Sequence, residues 1–186
     1  MAAGGTPGNV KLGPGRLYYA PLGTAEPTDC STALPSAWQA IGYTENGTEI
    51  GIEIKAEDIM VAEELEPIDN IVTGRTVTLK VEMAEITKKR LVLATGGGAT
   101  ATDTSTPFEL TTPDSIVGVM MVWDSLDTPT ALNRRILFRS CKPNGTITSV
   151  RRKAPAKATI QATFSCVKPD ATNGPVKYFP NSSGLI

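Results

Sequence analysis

The sequence predicts a mainly β protein: a β-sandwich or barrel-like fold with one short flanking α-helix and a long hairpin or loop arm. Three observations predict it. Two segments, 76–83 and 159–166, alternate polar and apolar residues strictly, which is the period of a half-buried strand. Clusters of Gly, Pro, Asn and Asp punctuate the chain between such segments, as turns do in an all-β protein. A single stretch, "ITKKRLVLATGGG", has a helical arrangement of apolar residues, and it stops at three glycines.

Taken in order, residues 1–15 are rich in Gly and Pro and read as a flexible N-terminal arm, leaving 16–186 as a single domain. "RLYYAPLG" (16–23) reads as a strand, 25–36 as a loop, and "WQAIGYT" (38–44) as a second strand. Asn46-Gly47 suits a tight hairpin turn, because glycine accepts positive φ. Ile50, Ile52 and Ile54 then share one face of a strand, with Glu49, Glu53 and Lys55 on the other. The alternation loses phase near Asp58, which predicts a bulge or a long hairpin arm. Gly74 restarts it: Val77, Leu79, Val81 and Met83 face one way, Thr76, Thr78, Lys80 and Glu82 the other. Thr87 can cap a helix of about two turns, which is too short to be stable unless it packs on the sheet. "PFELT", "SIVGVMMVWDSL" and "RRILFRSCKP" are further strands, and Asn144-Gly145 marks a second hairpin turn before "TITSVRR". Ile160, Ala162, Phe164 and Cys166 point inward from the last clear strand, and "KYFPNSSGLI" reads as a tail.

Composition narrows the function. The chain has 186 residues, 40% hydrophobic and 20% charged, with 18 basic against 19 acidic residues and a net charge of −1. That balance gives no basic excess for neutralising phosphates, as tight nucleic-acid binding requires. No secretory signal is visible, and the longest apolar run is far too short to span a bilayer. There is no histidine, so the commonest general base and metal ligand are missing. Cys30, Cys141 and Cys166 form no CxxC pair; they read as reduced thiols, although Cys141 and Cys166 could meet across strands.

The remaining chemistry is thin. Glu53, Glu57, Asp58, Glu63, Glu64, Glu66 and Asp69 are dense, but a glycosidase needs two carboxylates at a fixed separation and aromatics to stack a sugar. A solvated or partner-facing acidic arm is the simpler reading. "RRKAPAK" is basic without interleaved aromatics, which suits ion pairing better than nucleic acid. Asn46, Asn144 and Asn181 lie in N-x-[ST] patterns and read as turn residues. Trp38 and Trp123 read as core anchors. The expectation is a protein without catalytic, cofactor or metal sites.

An ordered set of segments carries a resemblance. "GRLYYAPLGTAEPTD", "WQAIGYTENGTEI", the acidic "VAEELEPID", then "TGR", an alternating strand, "MAEIT", a short helix and "LATGGG" resemble the major tail proteins, or tail tube subunits, of long-tailed siphovirus-type phages, with those of actinobacterial phages the nearest in look. "RRILFRSCKPNGTITSVRRKAPAKATIQATFSC" is similar to that family's closing strands. The resemblance implies a structural virion protein, assembled in the host cytoplasm into stacked hexameric rings that form a hollow tube for DNA ejection. It implies other copies of itself, the tape measure protein, the tail terminator and tail tip proteins as partners. DNA would pass without specific binding, and no membrane would be involved. On that reading the arm around 55–72 contacts other subunits or rings through Ile59, Met60, Val61, Glu63 and Glu64, with Arg151, Arg152 and Lys153 as opposite partners. Glu53, Glu57 and Asp58 are expected to face a lumen, where carboxylates repel phosphates. Competing expectations are a head–tail connector or tail-terminator ring, a receptor- or carbohydrate-binding β-module, and an enzyme. Few aromatics (5% of residues) argue against the module, and the missing histidine against the enzyme.

Overall fold

The computed structural model describes residues 13, 15–60, 66–107, 116–125, 134–151, 153 and 156–180. Among them, nine strands form one antiparallel sheet, with one helix packed against it. The elements are β1 (Gly15–Pro21), β2 (Gln39–Ala40), β3 (Thr44–Ile59), β4 (Asp69–Met83), α1 (Lys88–Ala94), β5 (Val119–Ser125), β6 (Arg135–Pro143), β7 (Thr148–Val150), β8 (Thr159–Cys166) and β9 (Val176–Phe179). The sheet order is β2-β1-β5-β6-β8-β4-β3, with β9 added to β6 and β7 to β8. The two ends of this order approach each other: β1 residues Arg16–Tyr18 and β3 residues Thr44, Thr48 and Ile50 line the same open cleft of about 630 Å³. The mainly β expectation, with a flanking helix and a long hairpin, therefore holds.

The alternating segments behave as their period dictates. Val77, Leu79, Val81 and Met83 of β4 pack with Ile160, Ala162, Phe164 and Cys166 of β8 in the main core. Strands β5 and β6 differ, being buried on both faces. Met121 and Phe138 join the main core, while Met120, Val122 and Leu137 join Ala20, Trp38 and Phe179 on the opposite side. This is why "VMMVW" and "ILF" are apolar runs rather than alternations. Each such side chain contributes roughly 1.5–3 kcal/mol by leaving water.

The helix begins where Thr87 accepts a bond from the Arg90 amide, and it ends at Gly96, whose φ is +88°. Its buried residues are Arg90, Leu93 and Ala94, one helical face. The buried arginine was not foreseen. Its guanidinium donates to the Tyr19 hydroxyl (3.1 Å) and the Ala40 carbonyl (2.8 Å), so it ties the helix to β1 and β2. Two more arginines fasten the loop between β1 and β2 over the second core. Arg135 makes a bidentate pair with Asp124 (2.6 and 2.9 Å) and donates to the carbonyls of Asp29 and Thr32. Arg139 grips Glu26 (2.6 and 3.1 Å) and the Gly174 carbonyl.

Several local expectations are corrected. Asn46-Gly47 is not a hairpin turn. It lies inside β3, where the register shifts between Thr44↔Met83 and Thr48↔Val81, and Gly47 adopts φ +75° in that bulge. The chain instead runs straight on, because β4 is long enough to pair with all of β3. Asn144-Gly145 is also no hairpin: β6 and β7 both pair with β8, and the Asn144 amide donates to the Thr163 carbonyl between them. Of 38–44, only Gln39–Ala40 and Thr44 are strand. The strand itself begins at Asp69, and its unbroken pairing resumes at Gly74 as expected, after a skipped residue at Thr73. Part of the expected tail, Val176–Phe179, is β9, held by Arg135–Phe138 of β6. Residues 108–111 of the "PFELT" segment lie outside the described residues.

Candidate assembly surface

The third strand of support for the β3–β4 hairpin is β8, and its pairing with β4 stops at Val77↔Cys166. Val77 lies opposite Ile52. Beyond that point, among the described residues, 53–59 and 69–76 pair only with each other, so a two-stranded arm leaves the body. Inside it, Lys55↔Gly74 is followed by Ala56↔Val72, leaving Thr73 unpaired as a bulge. Of the two readings for the stretch near Asp58, the long hairpin arm is present, whereas the bulge lies on the partner strand at Thr73 and β3 keeps its alternation through Asp58.

Alternation sorts the arm into two faces. The core-side face continues outward as Ile52, Ile54, Ala56 and Asp58, opposite Val77, Arg75, Val72 and Asn70. Asn70 donates to Asp58 at 2.8 Å across it. Here Ile52, Ile54 and Val72 are 54%, 56% and 56% exposed. A strip of β-branched apolar residues thus runs off the end of the core into solvent. The opposite face carries Glu49, Glu53, Lys55, Glu57 and Ile59 of β3 and Asp69, Ile71, Thr76, Thr78, Lys80 and Glu82 of β4, so five carboxylates stand against two lysines. It continues onto β8 as Gln161, Thr163 and Ser165. Its centre is ordered: Lys80 pairs with Glu49 at 3.1 Å, and Glu82 accepts from Thr159 (2.9 Å), Gln161 (3.0 Å) and Asn46.

These positions split the residues expected from sequence. Glu53 and Glu57 share the polar face, but Asp58 turns to the apolar strip. Ile59 is half-buried and Met60 exposed at the arm's end, where the Ile68 amide donates to the Ile59 carbonyl. Val61, Glu63, Glu64 and Arg152 lie outside the described residues. Arg151 and Lys153 are exposed, and neither pairs with a carboxylate among the described residues. Topology explains why. They follow β7, which pairs with Thr159–Gln161; those β8 residues lie beside the Met83 end of β4, while the arm grows from the Val77 end. The two charged segments therefore sit at opposite ends of the same long strand. Sequence reasoning missed the apolar strip, because isoleucines in phase with a core look like core. It also missed the Glu82 network, whose partners lie far along the chain.

Among the described residues, no group of three or more His, Cys, Asp or Glu side chains is placed to hold a metal ion, and no helix is long and apolar enough to cross a membrane. No curated protein matches the chain. The family model described as phage tail tube protein matches residues 8–164, most of the chain. The chain belongs to the phage tail tube protein family, a structural component of the phage tail.

Proposed function

We propose that residues 16–186 act as one tube-building domain that joins other copies into hexameric rings, and that the rings stack into the conduit for DNA. The observation that carries this reading is the unsupported arm, with its exposed Ile52, Ile54 and Val72. A monomer gains nothing from holding such a strip in water, whereas a neighbour's surface would bury it. The described part of the arm is acidic, with Glu53, Glu57, Asp58, Glu66 and Asp69 against Lys55 and Arg75. Arg151 and Lys153 lie at the other end of β4, a strand of 15 residues, hence roughly 50 Å long. Opposite charges at opposite ends suit head-to-tail stacking, a heterologous contact that repeats without closing. Arg152, Val61, Glu63 and Glu64 belong to the same two segments and are assigned to the same contact. The polar face bearing Glu53 and Glu57 is assigned to the lumen, where an excess of carboxylates keeps phosphates from adhering. The tape measure, terminator and tip proteins are the partners this role requires.

The test is negative-stain electron microscopy of the purified chain over a concentration series, alone and added to a lysate holding the other tail proteins. Hollow rods with a regular axial repeat are expected. A double reversal, Arg151→Glu with Lys153→Glu, should leave rings intact and stop stacking. Rods that form unchanged in that variant refute the stacking contact. A chain that neither polymerises nor enters tubes in the lysate refutes the function.

A further inference from the structure

We propose that Cys141 and Cys166 are a redox staple: a disulfide-forming pair that locks the junction between β6 and β8. The two residues are direct partners in the antiparallel register, and their sulfurs lie 3.4 Å apart. Both are buried in the main core. Direct antiparallel partners have Cα atoms roughly 4.5–5.5 Å apart, inside the window that a disulfide accepts. The sulfurs need to close by about 1.4 Å to reach bonding distance. Cys30 belongs to the other side of the sheet, near the second core, so the chain offers one pairing of neighbours and one spare thiol.

The place of the pair gives it leverage. Among the described residues, three pairs in register, Cys141↔Cys166 to Pro143↔Phe164, join β6 to β8. Through them the β1-β5-β6 part of the sheet meets the β8-β4-β3 part that bears the arm. The bond would close a loop between residues 25 apart in sequence, removing open states from the unfolded chain. The oxidant is a small-molecule disulfide such as glutathione disulfide. One cysteine thiolate attacks it, forming a mixed disulfide and releasing one thiol. The second cysteine thiolate attacks the protein sulfur of that mixed disulfide and expels the second thiol. Two electrons pass from the cysteines to the oxidant's S–S bond, and both protons leave with the released thiols. Burial pushes the Cys141 thiol up, so exchange waits on opening of the junction. A reducing cytoplasm keeps the pair open, and oxidising surroundings outside a cell close it. That setting rests on the tail role; the pairing does not.

The experiment uses the isolated full chain, so it is independent of whether tubes form. The chain is refolded from denaturant in a glutathione disulfide/glutathione buffer, denatured again, alkylated with iodoacetamide, and weighed and mapped by mass spectrometry. One alkylated thiol and a Cys141–Cys166 linked peptide are expected. The Cys30→Ser variant should then show no alkylated thiol. The melting temperature should rise by roughly 5–10 °C on oxidation and fall back with dithiothreitol; Cys166→Ala should abolish that rise. Three alkylated thiols, glutathione left on Cys141 or Cys166, or a link involving Cys30 would each overturn the proposal.

Discussion

Replacing Ile52, Ile54 and Val72 together by threonine separates assembly from folding. Threonine keeps the β-branch, so strand preference is preserved. Just over half of each side chain already lies in water, and within the subunit the exposed part contributes nothing to stability. In a contact it would be worth about half of the roughly 1.5–3 kcal/mol gained by fully burying such a residue, or about 1 kcal/mol each. Three residues give about 3 kcal/mol per contact, and at 1.4 kcal/mol per decade that is roughly a hundredfold in the association constant. The fixed entropic cost of docking is common to both proteins and cancels. The assay is the critical concentration for rod formation, read by light scattering and sedimentation, beside thermal melts of the dilute subunit. The variant should need roughly a hundredfold more protein to polymerise, with its melting temperature nearly unchanged. Polymerisation within about threefold of the parent would refute the reasoning. So would a large drop in melting temperature, because the strip would then be packing inside the subunit.

Three further predictions concern the fold. Arg135→Met strands Asp124 and two loop carbonyls, and loss of a buried charged partner costs about 3–5 kcal/mol; urea unfolding should show a value toward the lower end, since Asp124 keeps some access to water. Gly42 has φ +91° and its missing Cβ would run into the Glu85 carboxylate, so Gly42→Ala should destabilise by about 1–3 kcal/mol in the same assay. Hydrogen bonds from Arg139 hold the Glu26 carboxyl below its ordinary range, and bonds from Thr32 and Ser31 hold Asp29 far below it. A depressed carboxylate pKa contributes stability that is present above the unfolded value and lost as pH falls through the folded one. Melting temperature should therefore drop as pH falls below the ordinary carboxylate range, and Glu26→Gln should flatten the upper part of that drop.

The strands that face one core were legible because a period of two is a local property: β4 and β8 needed no knowledge of their neighbours. Strands β5 and β6 were legible only as apolar runs, since burial on both faces erases the period. What failed was pairing. Asn46-Gly47 and Asn144-Gly145 have turn chemistry, and both do take positive φ at the glycine. Whether such a dipeptide reverses the chain or merely bulges it depends on the strand opposite, which sequence does not show. The buried arginines escaped for the same reason, since Arg90, Arg135 and Arg139 each donate to groups tens of residues away. The arm was foreseen as broken alternation. Its apolar strip was not, because Ile52 and Ile54 continue the phase of Ile50 and only the end of β8 leaves them uncovered.

Two strands without a third make a ribbon, and a ribbon twists and flexes more easily than a broad sheet. From Glu53 to Ile59 the arm extends roughly 20 Å from its root. A rotation of about 5° there moves the tip by about 2 Å, less than the width of a methyl group, over a strand of this rise. Such an arm works as a compliant beam. Neighbours joined through it can tilt against each other while the tip stays seated, so strain spreads over many roots instead of opening one seam. A tail built this way is expected to bend smoothly, and stiffening the root at Gly74 (with Gly74→Val, for example) should lengthen the persistence length measured from electron micrographs.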